Sequence, residues 1–152
     1  MQLDVYGELI DALHQARETK LELGEETWDL ECQVLKHLAE VWHQPDQGIW
    51  ERRGAGKHYV FSKVMCWVAF DRAIKSAEAF GFKAPLPHWR ALRAAIHREV
   101  CTKGFDPDLN SFVESYGSKL LDAGTLLLPA VRCHFPPPIP ASGARSRRSK
   151  GA

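Results

Sequence analysis

The segment from Val60 to Phe80 constrains the fold more than any other, because it reads as a helix that is apolar on every face. Its central run, VMCWVAF at residues 64–70, surrounds the helix axis with apolar side chains. A helix of this kind is stable in water only when neighbouring elements cover it on all sides. The segment therefore predicts a buried helix at the centre of the domain. The side chains expected to be least exposed are Val64, Met65, Trp67 and Val68.

Four further helices are predicted around this central one. The first has apolar residues at helical spacing from Tyr6 to Ala16, and the second has them from Trp28 to Trp42. No stretch shows the alternation of a strand, so the predicted class is all-α, built from antiparallel helical hairpins. The first helix is predicted to begin at Leu3 and to end at Gly24, and the second is predicted to end before Pro45. The fourth is predicted from Pro85 to Gly104, and the fifth from about Ser118 to Leu128.

Polar residues within the helical segments have structural interpretations. Asp71 and Arg72 fall inside the central helix and are expected to form a buried or partly buried ion pair to a neighbouring helix. Five histidines are expected at helix surfaces or ends, namely His14, His37, His43, His88 and His97.

Composition and charge exclude several classes of function. The chain has 152 residues, the size of one domain, and its net charge of +1 gives no reason to expect a nucleic-acid or membrane partner. The sequence shows neither a signal peptide nor an apolar stretch long enough to span a membrane. No metal-ligand spacing or glycine-rich phosphate loop is present, so no metal and no cofactor are expected. The four cysteines read as reduced thiols, which favours a cytoplasmic protein.

The last residues, 132–152, depart from the helical pattern. They read RCHFPPPIPASGARSRRSKGA, rich in proline and then in serine, glycine and arginine, without an acidic residue. Such a composition cannot bury a core, so the segment is predicted to be a disordered, solvated tail. The predicted organisation is one helical domain over residues 1–131, followed by this tail.

Two loops echo each other in sequence. PDQGIWERRG at residues 45–54 and PDLNSFVESYG at residues 107–117 each combine Pro-Asp, a short turn, two apolar residues, a glutamate and a glycine ahead of a helix. The echo suggests a repeated helical-hairpin unit. In such arrays the loops at one end commonly form the site, so Glu51 and Glu114 are expected at the same end of the molecule.

Glu51 lies between Trp50 and a pair of arginines that begins with Arg52. An aromatic wall that excludes water raises the pKa of a carboxyl group, which suits a general acid. The alternative is an ordinary salt bridge in a turn, and the residues alone leave both interpretations open. Lys63, at the start of the central helix, and Tyr116, in the second loop, are further candidates for a site.

Four segments carry a resemblance to a known family, and they read QLDVYGELIDAL, PDQGIWERRG, HYVFSKVMCWVAFDRAI and SYGSKLLDAGTLLLP. Together they resemble the bacterial branch of glycoside hydrolase family 15, the glucoamylase and trehalase-like enzymes. The resemblance implies an α/α toroid of six helical hairpins and hydrolysis of terminal α-glucosidic bonds with inversion. It implies Glu51 as the general acid and Trp50 as part of the glucose subsite. The residues expected to bind the α-linked glucoside are Trp50, Arg52, Lys63 and Tyr116.

The same resemblance implies an internal or truncated segment of the catalytic domain. Family members are much longer, and their general base lies in a downstream part that this chain lacks; Glu114 does not fall in the base motif. The tail resembles the product of a frame shift, so a gene fragment is expected, inactive alone and prone to self-association through unpaired hairpin faces. The alternative is a non-catalytic helical-repeat protein that binds a sugar or a partner. Trehalose and malto-oligosaccharides are both candidate substrates.

Overall fold

The structure is a computed structural model that describes residues 2–48 and 55–126. Two short strands, β1 (Phe105–Asp106) and β2 (Ser111–Phe112), form an antiparallel hairpin. Every other element is helical, so the predicted all-α class is confirmed for the main body of the described chain. The helices are α1 (Asp4–Glu18), α2 (Glu25–Val41), α3 (Val60–Phe80), α4 (Leu86–Lys103) and the short α5 (Ala123–Leu126).

Helix α3 is the central helix that the sequence pattern predicts. Val64 and Val68 are 0% exposed, Met65 is 1% exposed and Trp67 is 8% exposed, which confirms the predicted burial. Helices α1 and α4 pack along α3, and α2 contacts both α1 and α3. Although α3 has 21 residues, no helix in the described part of the chain has the length and hydropathy of a membrane span.

Helices α1 and α3 approach each other closely at Gly7. A Cβ atom on Gly7 would lie 2.3 Å from the carbonyl oxygen of Met65, which is too short for any side chain. Glycine is therefore required at this contact. At the other end of α3, Gly81 has a φ of 72°, the left-handed conformation that glycine adopts readily at a helix C-terminus.

Buried ion pairs join α3 to its two main neighbours. Arg72 Nε donates to Asp11 Oδ1 of α1 at 2.6 Å, and Arg72 Nη1 donates to Asp71 Oδ2 at 2.9 Å. Asp71 Oδ1 also accepts from Arg93 Nη1 of α4 at 2.8 Å. The predicted pairing of Asp71 and Arg72 with neighbouring helices is confirmed. Each buried charge has an opposite partner, which offsets the cost of removing it from water.

Two predicted helix boundaries are wrong. Helix α1 ends at Glu18, Lys20 follows with a φ of 62°, and Gly24 precedes α2 instead of ending α1. Helix α5 begins at Ala123, later than the predicted start near Ser118. The residues just before Ser118 are bonded through their backbone to the segment that precedes α3, so they are not available to a helix.

The β-hairpin was not predicted, because strands of two residues are too short to show alternation. Its turn is held locally, since the backbone N–H groups of Asp108 and Leu109 donate to Asp106 Oδ1 at 2.8 and 3.1 Å. Asn110 completes the turn with a φ of 47°, a conformation that asparagine tolerates better than most residues.

His14 lies in the interface between α1 and α3, and not on the helix surface where it was expected. It is 7% exposed, and its Nδ1 lies 2.8 Å from Ser76 Oγ. The buried side of α1 is largely polar, and apolar periodicity alone does not detect such a stripe. Its buried polar residues are Asp4, Asp11, His14 and Arg17.

Candidate active site at the N-terminal end of the central helix

The loop that contains Glu51 in sequence is closed by a backbone bridge. Asp46 N donates to Lys57 O and Lys57 N donates to Asp46 O, each at 2.9 Å. The bridge joins the two ends of residues 47–56 directly ahead of α3. Three predicted site residues, Trp50, Glu51 and Arg52, lie outside the described residues, and their roles stay predictions.

The segment that follows the first of the two echoing loops meets the end of the second loop at this end of α3. Tyr59 and Ser115 form an antiparallel bridge, and Tyr116 N donates to His58 O at 3.0 Å. Glu114 O accepts from Val60 N at 3.0 Å, which satisfies a donor at the start of the helix. The described residues that flank the two loops therefore meet at one end of α3, and the expectation that Glu51 and Glu114 share one end of the molecule stays a prediction.

Lys63 lies in the first turn of α3, and its ammonium group is directed at the protein itself. The residue is 0% exposed, and Nζ donates to the carbonyl oxygens of Trp42 and Gln44, each at 2.5 Å. Burial lowers the pKa of Lys63 from its ordinary value, while the neighbouring Cys66 and Asp46 oppose that shift. Within the described residues, the ammonium group therefore binds the chain between the end of α2 and the loop to the start of α3.

Two buried carboxyl groups lie next to each other at this end of α3, and one of them, Asp46, is also close to Lys63. Asp46 is 2% exposed, and its Oδ2 accepts from the backbone N–H of Leu3 at 3.1 Å. Asp4 is 3% exposed; burial raises its pKa, and the negative charge of Asp46 raises it further. We call Asp4, Asp46 and Lys63 the stem cluster, because they join α1, the start of the loop and α3.

Sequence reasoning gave no role to Asp46. Its Pro-Asp motif is repeated at Pro107-Asp108, yet Asp108 is exposed whereas Asp46 is buried. The echo in sequence therefore does not extend to the environment of the two aspartates. The burial of Asp46 depends on contacts with Leu3 and Lys57, which are distant in sequence and give no local signal.

Tyr116 is half-buried where the two loops meet. Its ring stacks on His58, with centroids 5.5 Å apart and planes inclined by 14°, and Lys103 Nζ lies 5.8 Å from its ring centroid. The Tyr116 hydroxyl is buried, and the Glu99 carboxylate lies close enough to act on it both by its charge and as a hydrogen-bond acceptor.

Burial shifts the pKa values of both stacked rings, Tyr116 and His58. Burial raises the pKa of Tyr116, and the Glu99 carboxylate adds to the shift. Burial lowers the pKa of His58, and the positive charge of Lys63 adds to that shift. Both rings are thus held neutral near pH 7, and neutral phenol and imidazole groups suit hydrogen bonds with hydroxyl groups.

Glu114 is held close to the start of α3. It is 4% exposed, and its backbone N–H donates to Leu120 O at 2.8 Å. Its exclusion as a general base stays a prediction. In residues 2–48 and 55–126, no group of three or more histidine, cysteine, aspartate or glutamate side chains is arranged to hold a metal ion.

Two open cavities flank α4, away from the stem cluster. One, of about 520 Å³, lies between α2 and α4 and includes Cys32 and Trp89. The other, of about 460 Å³, lies between α3 and α4 and includes Trp67 and Asp71. Neither cavity is lined by Lys63 or Tyr116, so neither adds to the candidate site.

Residues 1–137 match the model of the glycosyl hydrolases family 15. The chain belongs to glycosyl hydrolase family 15. This family 15 chain is 43% identical over 129 residues to the trehalase of Thermoplasma volcanium, and 36% identical over 137 residues to the trehalase of Mycobacterium tuberculosis. The matches cover 85% and 90% of the chain, but only 21% and 20% of the relatives. The chain thus spans about a fifth of the length of these trehalases.

A solved glycosidase variant in complex with glucose has the same fold. The TM-score is 0.71 at 20% identity, and the match covers 89% of this chain and 34% of that one. The interpretation of the family 15 chain as consecutive helical hairpins of an α/α toroid is confirmed.

Proposed function

We propose that this family 15 segment is part of an inverting α-glucoside hydrolase of the glucoamylase or α,α-trehalase type. Glu51 acts as the general acid and protonates the departing glycosidic oxygen, while a carboxylate from another part of the catalytic domain activates water on the opposite side. The observation that carries the proposal is the backbone bridge between Asp46 and Lys57. These two residues lie on either side of the Gly-Ile-Trp-Glu sequence, just ahead of the first residue of α3.

The proposed substrate is trehalose or a malto-oligosaccharide. Two relatives of this chain are trehalases, and the solved glycosidase with the same fold is in complex with glucose. Trp50, Arg52 and Tyr116 are proposed to bind the sugar, since aromatic surfaces and a few convergent polar groups are typical of ligand sites. The ring of Tyr116, half-buried where the two loops meet and stacked on His58, supports this role.

We propose a reducing, cytoplasmic setting without a nucleic-acid or membrane partner and without a cofactor. Cys32, Cys66 and Cys101 are free thiols in the described chain. Burial raises the pKa of Cys66 to about 12, so this thiol is inert and serves as an apolar core group. These thiols need no oxidising compartment.

The test is a segment exchange, because the chain spans only a fifth of the trehalase length. Residues 2–126 replace the matching segment of the Thermoplasma volcanium trehalase, and glucose release from trehalose and maltose is measured. Glu51→Gln in the exchanged enzyme is expected to lower kcat by about 10²–10⁴-fold, because general acid catalysis is lost. The glucose from the non-reducing unit of maltose is expected to be released as the β anomer, which NMR detects and which inversion requires.

Two further variants serve as controls. Glu40→Gln changes an exposed glutamate of α2 and is expected to retain activity. Glu114→Gln tests the other loop carboxylate and is expected to lower kcat less than Glu51→Gln does. Full activity in the Glu51→Gln enzyme would contradict the proposed acid, and release of the non-reducing glucose of maltose as the α anomer would contradict inversion.

A further inference from the structure

Lys63 is buried at the start of α3, and both of its hydrogen bonds among the described residues go to main-chain carbonyl groups. The acceptors are Trp42 O and Gln44 O, each 2.5 Å from Nζ. The chain leaves α2 at these residues and enters the loop that contains Glu51. Lys63 thus joins one end of that loop to the helix that follows it.

Stability alone does not account for a lysine at this position. A buried ammonium group is unfavourable unless it is well paired, and apolar residues of similar volume often replace buried charges without loss of stability. At this position Nζ is hydrogen-bonded to two main-chain carbonyl groups instead of a carboxylate. The two carbonyl groups therefore explain the lysine better than its contribution to the core does.

The other end of the loop, at Lys57, is bound to Asp46. Its side chain accepts from Leu3 N at 3.1 Å, and its backbone pairs with Lys57 at 2.9 Å in both directions. The negative charge of Asp46 also attracts the Lys63 ammonium group. Both ends of residues 47–56 are thus connected to one buried group of charges.

We propose that Lys63 is a positioning residue that, with Asp46, holds the two ends of the loop that contains Glu51. Its link to catalysis rests on the function proposed above, whereas its effect on the loop ends does not. Lys63 acts through the Trp42 and Gln44 carbonyl groups and makes no contact with the sugar. These carbonyl groups take two of the three N–H donors of Nζ, and the side chain is 0% exposed.

The test compares amide hydrogen exchange in the 152-residue chain and in Lys63→Met, whose side chain has a similar length and no donor. Exchange at the Asp46 and Lys57 amides is expected to accelerate by about tenfold or more, because the loop ends open locally. Amides in the centre of α3 are expected to stay within about twofold of their original rates.

Val64→Ala is the matched control, since it removes a buried side chain next to Lys63 and leaves the carbonyl contacts intact. It is expected to accelerate exchange in α3 and at the loop ends together, as a general loss of stability does. The proposal is overturned if exchange in Lys63→Met accelerates in α3 and at the loop ends together. It is also overturned if the exchange rates of the Asp46 and Lys57 amides do not change.

Asp46→Asn is the second variant and decides the question if Lys63→Met does not fold. Asparagine keeps an acceptor for Leu3 N–H but removes the charge that attracts Lys63. Exchange at Lys57 is expected to accelerate several-fold, with α3 unaffected; no change at Lys57 would overturn the proposal.

A kinetic measurement in the segment-exchange enzyme connects the loop ends to catalysis. Lys63→Met is expected to lower kcat while KM stays within about twofold, because Glu51 loses its placement and the sugar keeps its contacts. A raised KM with unchanged kcat would instead indicate direct sugar binding and would overturn the positioning role. If Glu51→Gln proves active while the exchange result holds, the proposed function fails and the role of Lys63 at the loop ends stands.

Discussion

Single buried polar residues are expected to make the stability of this chain depend on pH, and we base the prediction on His14. Burial lowers the pKa of His14, and Glu18 only partly opposes the shift. Below the ordinary value of about 6.5, the unfolded chain therefore binds a proton that the folded chain does not bind. Stability is fully present above that pH and is expected to fall as the pH drops through the lowered pKa of the folded state.

The measurement is the urea midpoint of unfolding at pH 7.5 and at pH 5. His14→Asn keeps a polar group near Ser76 but cannot be protonated, so its midpoint is expected to change less between the two pH values. His88→Asn, at an exposed position of α4, is expected to keep the original pH dependence. An unchanged pH dependence in His14→Asn would show that other groups cause it.

Residue roles were predictable where the local sequence carried the reason. Asp71 and Arg72 inside an apolar helix had to be paired, and the structure pairs them with Asp11 and Arg93. The roles of Lys63 and Asp46 depend on carbonyl groups and amides brought close by the fold. No periodicity in the sequence encodes those partners.

At the scale of elements, the contact between α1 and α3 depends on one glycine. Gly7→Ala is expected to destabilise the chain by about 1–3 kcal/mol, because the added methyl group overlaps the Met65 carbonyl group and forces the helices apart. This loss exceeds the gain of about 1 kcal/mol in helix propensity that alanine otherwise brings. The free energy of unfolding in urea measures the effect.

Glu8→Ala is the control for this prediction, since Glu8 is the exposed neighbour of Gly7 in the same helix. It is expected to change the free energy of unfolding by less than about 0.5 kcal/mol, as is usual for surface sites. A Gly7→Ala chain that is as stable as Glu8→Ala would show that α1 and α3 can separate at little cost.

The boundaries of a helix or strand were predictable where its apolar pattern was long. Helix α3 follows from its apolar run, and its boundaries at Val60 and Phe80 agree with the prediction. The end of α1 and the start of α5 were missed, since a left-handed Lys20 and the backbone bonds of Ser115 have no signature in apolar spacing. The two-residue strands were missed for the same reason.

The whole molecule has apolar surface that its own described elements do not cover. Val5 and Leu9, one turn apart on α1, are 47% and 41% exposed, and Leu121 ahead of α5 is 64% exposed. In a toroid, each hairpin packs against neighbours on both sides, and this chain spans about a fifth of the trehalases that it matches. These side chains are therefore the proposed contacts for self-association of the isolated chain.

Activity of the isolated chain is the prediction that belongs to the whole molecule. Inverting hydrolysis needs an acid and a base on opposite sides of the bond, and the proposed function assigns only the acid to this chain. Since each partner contributes about 10²–10⁴-fold, no glucose release from trehalose or maltose is expected. A glucose assay tests this, with light scattering to report the association state. If the isolated chain releases glucose and Glu51→Gln abolishes this activity, the base lies within these 152 residues. If Glu114→Gln abolishes the activity as well, Glu114 is that base.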